Sequence, residues 1–198
     1  MILGGGLAGL TCALHCRKES PGATVAIIEK KEHPVPESAH KVGESSVEVG
    51  ADYFRRYLEL EDHLENEQIP KLGLRMFFQK GDNAKIEDRL EMGGTTFPHA
   101  PSYQFDRGRF ENYLAKRCES QGVTFIDSAT IKDIEINNGK KPHVVSYERD
   151  GERKTVNSRW LVDASGRAGL LKRKLGLKKP SEHRGNSAWL RIGKRVKV

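Results

Sequence analysis

The sequence contains no apolar run long enough to cross a membrane and no segment typical of a secretory signal. A membrane-spanning helix needs about 18 or more consecutive apolar residues. Apolar residues make up only 36% of this 198-residue chain, and charged residues interrupt them throughout. The apolar start, MILGGGLAGL, also lacks the basic flank and the small-residue cleavage site of a signal peptide. These absences exclude an integral membrane segment and predict a cytoplasmic protein.

Cysteine is scarce, because the chain has only Cys12, Cys16 and Cys118 and no Cys-x-x-Cys pair. An odd number with wide spacing argues against a disulfide scaffold, so reduced thiols are expected. Cys12 and Cys16 lie four residues apart in a predicted helix, which favours helix packing over metal binding. The histidines have no metal-ligand spacing either, and we predict no metal site.

Acidic residues almost disappear from the last part of the chain. Between residues 167 and 198 there are eleven Lys or Arg against a single acid, Glu182, and the net charge of the chain is +7. A nucleic-acid tail is one interpretation, but no aromatic residues interleave the basic ones and no nucleic-acid-binding motif accompanies them. We therefore favour a surface that meets an acidic substrate, cofactor phosphates or another part of the protein, and expect no nucleic-acid partner.

Glycine, by contrast, is concentrated near the start. Gly4, Gly6 and Gly9 form a Gly-x-Gly-x-x-Gly pattern between a short apolar segment and a predicted helix. Glycine permits a tight turn, the approach of a ligand to the main chain, and close packing of a helix on a strand. The segment TVAIIEK is typical of a buried parallel strand, and Glu29 near its end follows Gly9 by twenty residues. The combination predicts a dinucleotide site, with pyrophosphate at the helix N-terminus and a ribose diol on Glu29.

The rest of the chain does not continue the strand and helix alternation of an NAD dehydrogenase. FDRGRFENYLAKRCESQG has apolar residues at helical spacing and stops at Gly122. Strand patterns VTFIDS and TIKDIEI follow, and HVVSYER and ERKTV flank Asp150 and Gly151, which predicts a β-meander. The apolar strand RWLVDASGR and a short helix ending at Gly176 come next. Earlier in the chain, Val47 to Leu58 is a predicted helix and LGLRMFF a predicted strand.

This order of elements resembles the FAD-binding part of glutathione-reductase-type flavoproteins, in the group of flavin-dependent halogenases, aromatic-ring monooxygenases and geranylgeranyl reductases. The resemblance covers nearly all of the chain. It rests on GGGLAG, Glu29, KVGESS, YQFDRGRFENYL and LVDASGRAGLLKRKLGL. The VGES and PSYQFDRGRF stretches look most like the halogenase-like branch. The resemblance implies an α/β fold, namely a Rossmann-like FAD-binding domain with a parallel sheet and a β-meander.

The same resemblance implies a set of cofactor-binding residues. They are Gly4, Gly6, Leu7, Ala8, Gly9, Glu29, Lys30, Ser45, Arg107, Ile131, Asp163 and Gly166. In this reading Ser45 lies on a loop that passes near the flavin, and Ile131 meets the adenine end through its backbone. Arg107 lies near the phosphates or the adenine, with a surface charge at a helix start as the alternative. Asp163 and Gly166 form the second strand end that contacts the cofactor, although Asp163 could instead cap the helix that follows.

The implied activity is that of a flavin-dependent monooxygenase or halogenase acting on a small organic molecule, with aromatic compounds among the candidates. NAD(P)H or a flavin reductase would supply the electrons. A geranylgeranyl-reductase-like double-bond reductase and a non-catalytic nucleotide-binding fragment stay open as alternatives. Halogenases carry a lysine that relays hypohalous acid; Lys71 and Lys80 are candidates, while the local match GLRMFF has Arg75 at that place. No catalytic residue is assigned from the sequence.

The chain is expected to be truncated at both ends. Residues 1–3 are few for a buried strand, and SAWLRIGKRVKV is predicted to start a strand as the sequence stops. We assign residues 1–180 to an incomplete FAD-binding domain. Residues 181–198 are assigned to the start of a substrate domain or to a return segment.

Overall fold

The computed structural model describes residues 1–38, 41, 43–82, 84–183, 185 and 188. The strands are β1 (Ile2–Leu3), β2 (Ala26–Ile28), β3 (Ile69–Pro70), β4 (Arg75–Phe78), β5 (Leu90–Gly93), β6 (Tyr103–Gln104), β7 (Thr124–Ile126), β8 (Thr130–Glu135), β9 (His143–Arg149), β10 (Glu152–Ser158) and β11 (Val162–Asp163). The α-helices are α1 (Leu7–Glu19), α2 (Glu48–Asp52), α3 (Glu61–Glu67), α4 (Arg107–Ser120) and α5 (Leu170–Lys174). A π-helical turn, Tyr53–Tyr57, follows α2, and 3-10 turns lie at Ile86–Asp88 and Gly166–Ala168.

A four-stranded parallel sheet organises the fold, with the strand order β11-β1-β2-β7. The short first strand lies in its interior, since Ile2 pairs with Val162 on one side and with Ile27 on the other. Together with α1, strands β1 and β2 form a βαβ unit, which places the glycine cluster at the carboxyl edge of the sheet. The predicted α/β fold with a parallel sheet is confirmed.

The two faces of this sheet bury different partners, because successive side chains of a strand point to opposite sides. Ile2 and Ile27 belong to a core shared with α1 and α4. Leu3 and Ile28 belong to a second core shared with the antiparallel strands β8, β9 and β10. The molecule therefore has three layers: helices, parallel sheet and meander.

The β-meander forms as the sequence predicts. Strands β9 and β10 pair antiparallel over their whole length, from Glu152 opposite Arg149 to Ser158 opposite His143. Asp150 and Gly151 join them with φ values of 55° and 77°, the backbone conformation that a two-residue hairpin turn requires.

Other elements depart from the sequence-based prediction. The predicted helix from Val47 to Leu58 is an α-helix only to Asp52, and continues as the π-helical turn. Four elements had no prediction, namely α3, β5, and the strands β3 and β6, which pair with each other. No helix in the described part of the chain is long and apolar enough to cross a membrane. The strand predicted for SAWLRIGKRVKV falls outside the described residues except for Ala188, and the boundary at residue 180 stays a prediction.

Candidate functional site

Two glycines allow β1, α1 and the turn after β11 to approach each other at the carboxyl edge of the sheet. Gly4 has a φ of 114°, and a Cβ atom on it would lie 2.4 Å from the carbonyl oxygen of Ala164. A Cβ on Gly9 would lie 1.9 Å from the carbonyl oxygen of Gly4. Any larger residue at either position would push these segments apart, so the fold itself requires both glycines.

Gly6, the second glycine of the pattern, has different surroundings. Gly6 precedes α1 with φ −82° and ψ −173°, and a Cβ on it would meet only Glu111 Oε1, at 3.8 Å. The main chain at Gly6 is therefore open to a ligand rather than to another part of the protein. Among the described residues, the amide N–H groups of Gly6, Ala8 and Gly9 find no acceptor. Unpaired amides at the first turn of a helix attract anions, phosphates above all.

Glu29 lies where β2 ends and faces the glycine turn. Its Oε2 accepts a hydrogen bond of 2.6 Å from the N–H of Gly5, and its Oε1 accepts one of 2.9 Å from the N–H of Lys31. Each carboxylate oxygen can accept more than one hydrogen bond, so both keep capacity for hydroxyl donors of a ribose. Glu29 is thus held in place by the turn beside which a nucleotide would bind.

A cavity of about 880 Å³ opens in front of these groups. Its lining residues are Gly4, Gly5, Gly6, Glu29, Lys31, His33, Val35, Lys41, Arg107, Glu111, Ala164, Ser165, Gly166 and Arg167. Five of the predicted cofactor-binding residues are among them, from four separate segments of the chain. The cationic side chains outnumber the carboxylates four to two, and the N-terminus of α1 adds partial positive charge. This environment suits a large ligand with more than one negative charge.

Arg107, at the first position of α4, is not a surface charge. Its side chain is 14% exposed and forms an ion pair with Glu111 one helical turn later. A guanidinium nitrogen also donates a 3.3 Å hydrogen bond to the carbonyl oxygen of Gly43. Arg107 therefore connects α4 to the VGES loop while lining the cavity.

Sequence reasoning missed several residues of the cavity. The most buried is Glu111, whose side chain is 1% exposed and whose carboxylate receives hydrogen bonds from the N–H of Leu7, from Arg107 and from Lys41. The sequence does contain a signal for Glu111, because an acid four residues after Arg107 in a helix can pair with it, and Glu111 directly follows the apolar Phe110. His33 lines the same cavity, and its two ring nitrogens are buried with no partner among the described residues.

Asp163 is engaged by the protein itself. Oδ1 accepts hydrogen bonds from the N–H and the hydroxyl of Ser165, and Oδ2 accepts them from the N–H groups of Leu171 and Lys172. Burial works to raise the pKa of Asp163, but these hydrogen bonds outweigh it, so the pKa lies below its usual value. This geometry is the one expected if Asp163 caps the helix that follows it, which was the alternative prediction. Asp163 and Ala8 line a neighbouring cavity of about 430 Å³, which shares Ala164 and Gly166 with the first.

Five other predicted residues do not line the large cavity, and two of them, Leu7 and Gly9, lie in the first turn of α1. Lys30 is exposed, and the next residue, Lys31, takes part in the lining instead. Ile131 packs against the core between the sheet and the meander. Ser45 is exposed and forms an isolated β-bridge with Gln104.

The VGES loop is joined by hydrogen bonds to the segment before α4. The Ser46 N–H donates to the Tyr103 carbonyl, the Tyr103 N–H donates to the Ser46 hydroxyl oxygen, and the Phe105 N–H donates to the Glu44 carbonyl. This pairing brings together KVGESS and YQFDRGRF, which are far apart in sequence. Lys71 reaches the same loop, because its Nζ donates a 3.0 Å hydrogen bond to the Ser46 carbonyl oxygen. Arg75 and Lys80, in contrast, are exposed at the β4–β5 hairpin.

A family model described as an FAD binding domain matches residues 1–197. The chain belongs to this family. Its cofactor is FAD, and the open amides at α1, the free capacity of Glu29 and the cationic cavity fit that molecule.

Known flavoenzymes are similar over most of the chain. The flavin-dependent halogenase chlA of Dictyostelium discoideum is 28% identical over 84% of this chain and 31% of its own length. The 1H-pyrrole-2-carbonyl-[peptidyl-carrier protein] brominase of Pseudoalteromonas luteoviolacea is 31% identical over 88% of this chain and 39% of its own length. A solved structure of the flavin-dependent brominase Bmp2, a triple mutant, superposes with a TM-score of 0.66 at 29% identity, covering 87% of this chain and 40% of that one. The chain spans about a third of the length of these curated relatives.

Proposed function

We propose that this chain is the FAD-binding part of a flavin-dependent halogenase. The observation that carries the proposal is the meeting, in one cavity, of Gly6 with its unpaired amide at the N-terminus of α1, the Glu29 carboxylate and Arg107. The backbone of Gly4, Gly6, Leu7, Ala8 and Gly9 surrounds the pyrophosphate in this assignment. Glu29 binds the adenosine ribose, with Lys30 beside it, and Arg107 faces the phosphates. We retain in the proposal four further predicted contacts, nearer the two ends of the cofactor: Ser45, Ile131, Asp163 and Gly166.

FAD retention tests the cofactor part of the proposal. The purified protein is incubated with FAD, passed through a desalting column and scanned for flavin absorbance. The Gly6→Val variant is expected to lose the flavin bands, because its side chain would occupy the open space before the helix amides. Gly22→Val, the same substitution at a surface position with no atom within 4 Å of its Cβ, is the control and should retain FAD. Equal retention in both variants would contradict the assignment.

Lys71 is the residue that we assign to halogen transfer. Bound FAD supplies the redox chemistry with dioxygen that turns a halide ion into hypohalous acid. The Lys71 ammonium, oriented by the Ser46 carbonyl, donates a hydrogen bond to the oxygen of that acid. As a substrate carbon forms its bond to the halogen, the oxygen–halogen bond breaks, and the oxygen leaves as water with the proton from Lys71. The proton released by the substrate carbon restores the ammonium.

Substitution of Lys71 separates halogenation from other flavin activities. The gene product that carries this chain is supplied with reduced FAD, dioxygen and bromide, and phenol and pyrrole probes are analysed by mass spectrometry. Lys71→Met is expected to lower brominated product by about 100-fold or more while oxygen consumption continues. Lys85→Met, at an exposed position near the hairpin, should leave product formation unchanged.

The other outcomes of this assay contradict the proposal in distinct ways. Product that is oxygenated without bromide indicates a monooxygenase, and double-bond reduction without oxygen consumption indicates a reductase. Loss of bromination in Lys80→Met rather than Lys71→Met would assign halogen transfer to Lys80, at the β4–β5 hairpin. Absence of any flavin turnover would indicate a non-catalytic nucleotide-binding module.

The remaining parts of the proposal concern partners and location. The substrate is a small organic molecule with an electron-rich carbon, and NAD(P)H or a separate flavin reductase supplies the electrons. We place the protein in the cytoplasm, where its three free thiols remain reduced.

A further inference from the structure

Glu111 is the most deeply buried ionisable side chain at the cavity, and nothing in the proposed function uses it. It lies on the first turns of α4, one residue after the fully buried Phe110 and one helical turn after Arg107. Burial of a carboxylate is costly unless charged and hydrogen-bonded partners surround it. Both oxygens of Glu111 have such partners, and the two cationic ones, Arg107 and Lys41, line the FAD cavity.

The partners come from three separate segments. Oε1 accepts hydrogen bonds from the N–H of Leu7, at 3.1 Å, and from the guanidinium of Arg107. Oε2 accepts one from the ammonium of Lys41. One carboxylate thereby joins the first amide of α1, the start of α4 and the segment that leads into the VGES loop. Without it, two cations and a helix N-terminus would repel each other in a partly buried place.

The charges at this cluster do not cancel. Two cationic side chains and the partial charge of α1 surround a single carboxylate, so positive charge remains on the cavity side. Glu111 uses the amide of Leu7 and leaves those of Gly6, Ala8 and Gly9 open. Its contacts therefore hold Arg107 and Lys41 in the same cavity as Gly6, whose amide has no acceptor among the described residues.

We propose that Glu111 is a positioning residue for FAD, which holds Arg107 and Lys41 in the orientation that receives the pyrophosphate. The carboxylate acts through Arg107 rather than on the cofactor itself, since a carboxylate beside phosphates would repel them. This inference rests on the FAD site and is independent of halogen transfer.

A double-mutant cycle on FAD affinity tests the inference. The Kd for FAD is measured by quenching of flavin fluorescence for the unmodified protein, Glu111→Gln, Arg107→Gln and the double variant. Circular dichroism verifies that each one is folded. Glu111→Gln is expected to raise the Kd for FAD about tenfold, because Arg107 loses its fixed orientation. In the Arg107→Gln background, the same change should raise the Kd less than about threefold. Glu119→Gln, an exposed acid on the same helix, is the control and should leave the Kd unchanged.

The possible results separate positioning from a structural role. Additive losses in the cycle would mean that Glu111 does not act through Arg107, and an unchanged Kd in Glu111→Gln would overturn the proposal directly. If Glu111→Gln does not fold, Glu111→Asp replaces it in the cycle, since it keeps the charge but shortens the side chain. Failure of both variants to fold would assign Glu111 to folding alone and reject the proposal. Retention of FAD by the unmodified protein is measured separately, so failure of the cofactor assignment remains distinguishable.

Discussion

At the scale of single residues, the glycine pattern divides into two physical roles. Gly4 and Gly9 are required because main-chain atoms of neighbouring segments occupy the space of a side chain. Gly6 has free space beside it, so the fold does not require its small size, which in the proposed site leaves room for the ligand. The same sequence motif thus contains both a packing requirement and a binding requirement, and substitutions can separate them.

Gly6→Ala should therefore affect FAD binding, and Gly9→Ala should affect the stability of the fold. Gly6→Ala keeps an allowed backbone conformation and should leave the unfolding midpoint in urea nearly unchanged while weakening FAD binding. Gly9→Ala places a methyl group on the carbonyl of Gly4 and should lower the free energy of unfolding by about 3 kcal/mol or more, as in severe overpacking. Urea unfolding of both variants, with and without FAD, checks this. A stable Gly9→Ala protein would contradict the close approach.

Asp163 predicts a pH dependence of stability. Because its pKa is lower in the folded protein than in the unfolded chain, it stabilises the fold above its usual pKa of about 3.9 and loses this contribution as the pH falls through the folded value. Asp163→Asn should therefore unfold at lower urea than the unmodified protein at pH 7, and the difference should shrink below about pH 4. Urea midpoints at pH 7, 5, 4 and 3 measure it. A difference that grows at low pH would contradict the sign of the shift.

At the scale of elements, the β4–β5 hairpin differs from every other pair of strands described. Cross-strand pairs place Met76, Phe78, Leu90 and Met92 on one face, and each of them is about half exposed. The opposite face carries the ion pair between Arg75 and Glu91. An amphipathic hairpin normally buries its apolar face, so we expect this exposed face to mediate association of the chain.

Changes on this hairpin should affect association rather than folding. Met76→Thr combined with Met92→Thr is expected to reduce binding of a hydrophobic dye and self-association, with little change in the unfolding midpoint. Phe110→Ala removes a fully buried side chain of α4 and should instead lower the free energy of unfolding by about 3–5 kcal/mol. Dye fluorescence, light scattering and urea unfolding distinguish the two. A large loss of stability in the methionine variant would show that the chain itself covers this face.

At the scale of the whole molecule, the cavity that we assign to the cofactor is assembled from segments that are far apart in the chain. The turn after β1, the end of β2, Lys41, the start of α4 and the turn after β11 all contribute to its wall. Ligand binding at such a junction stabilises contacts between layers as well as the residues in direct contact. Folding and FAD binding are therefore linked.

FAD should raise the thermal stability of the protein by an amount that grows with the logarithm of the ratio of free FAD concentration to Kd. At a free FAD concentration 100 times the Kd, linkage adds about 2.7 kcal/mol to the free energy of unfolding. For a chain of this length that corresponds to an increase in Tm of about 5–10 °C. Differential scanning fluorimetry over a series of FAD concentrations measures it. Riboflavin, which lacks the pyrophosphate and the adenosine, is the control and should give a much smaller shift.

The sequence alone determined the features that depend on local pattern. The glycine spacing, the run TVAIIEK with Glu29 at its end and the Asp150-Gly151 turn predict the βαβ unit and the meander, because backbone freedom and side-chain period are local properties. Only the tertiary structure decided which residues meet. The ring of donors around Glu111, the contact of Lys71 with the VGES loop and the capping role of Asp163 join residues distant in sequence or depend on side-chain direction. Neither property can be read from spacing, because long-range contacts arise only when the three layers pack.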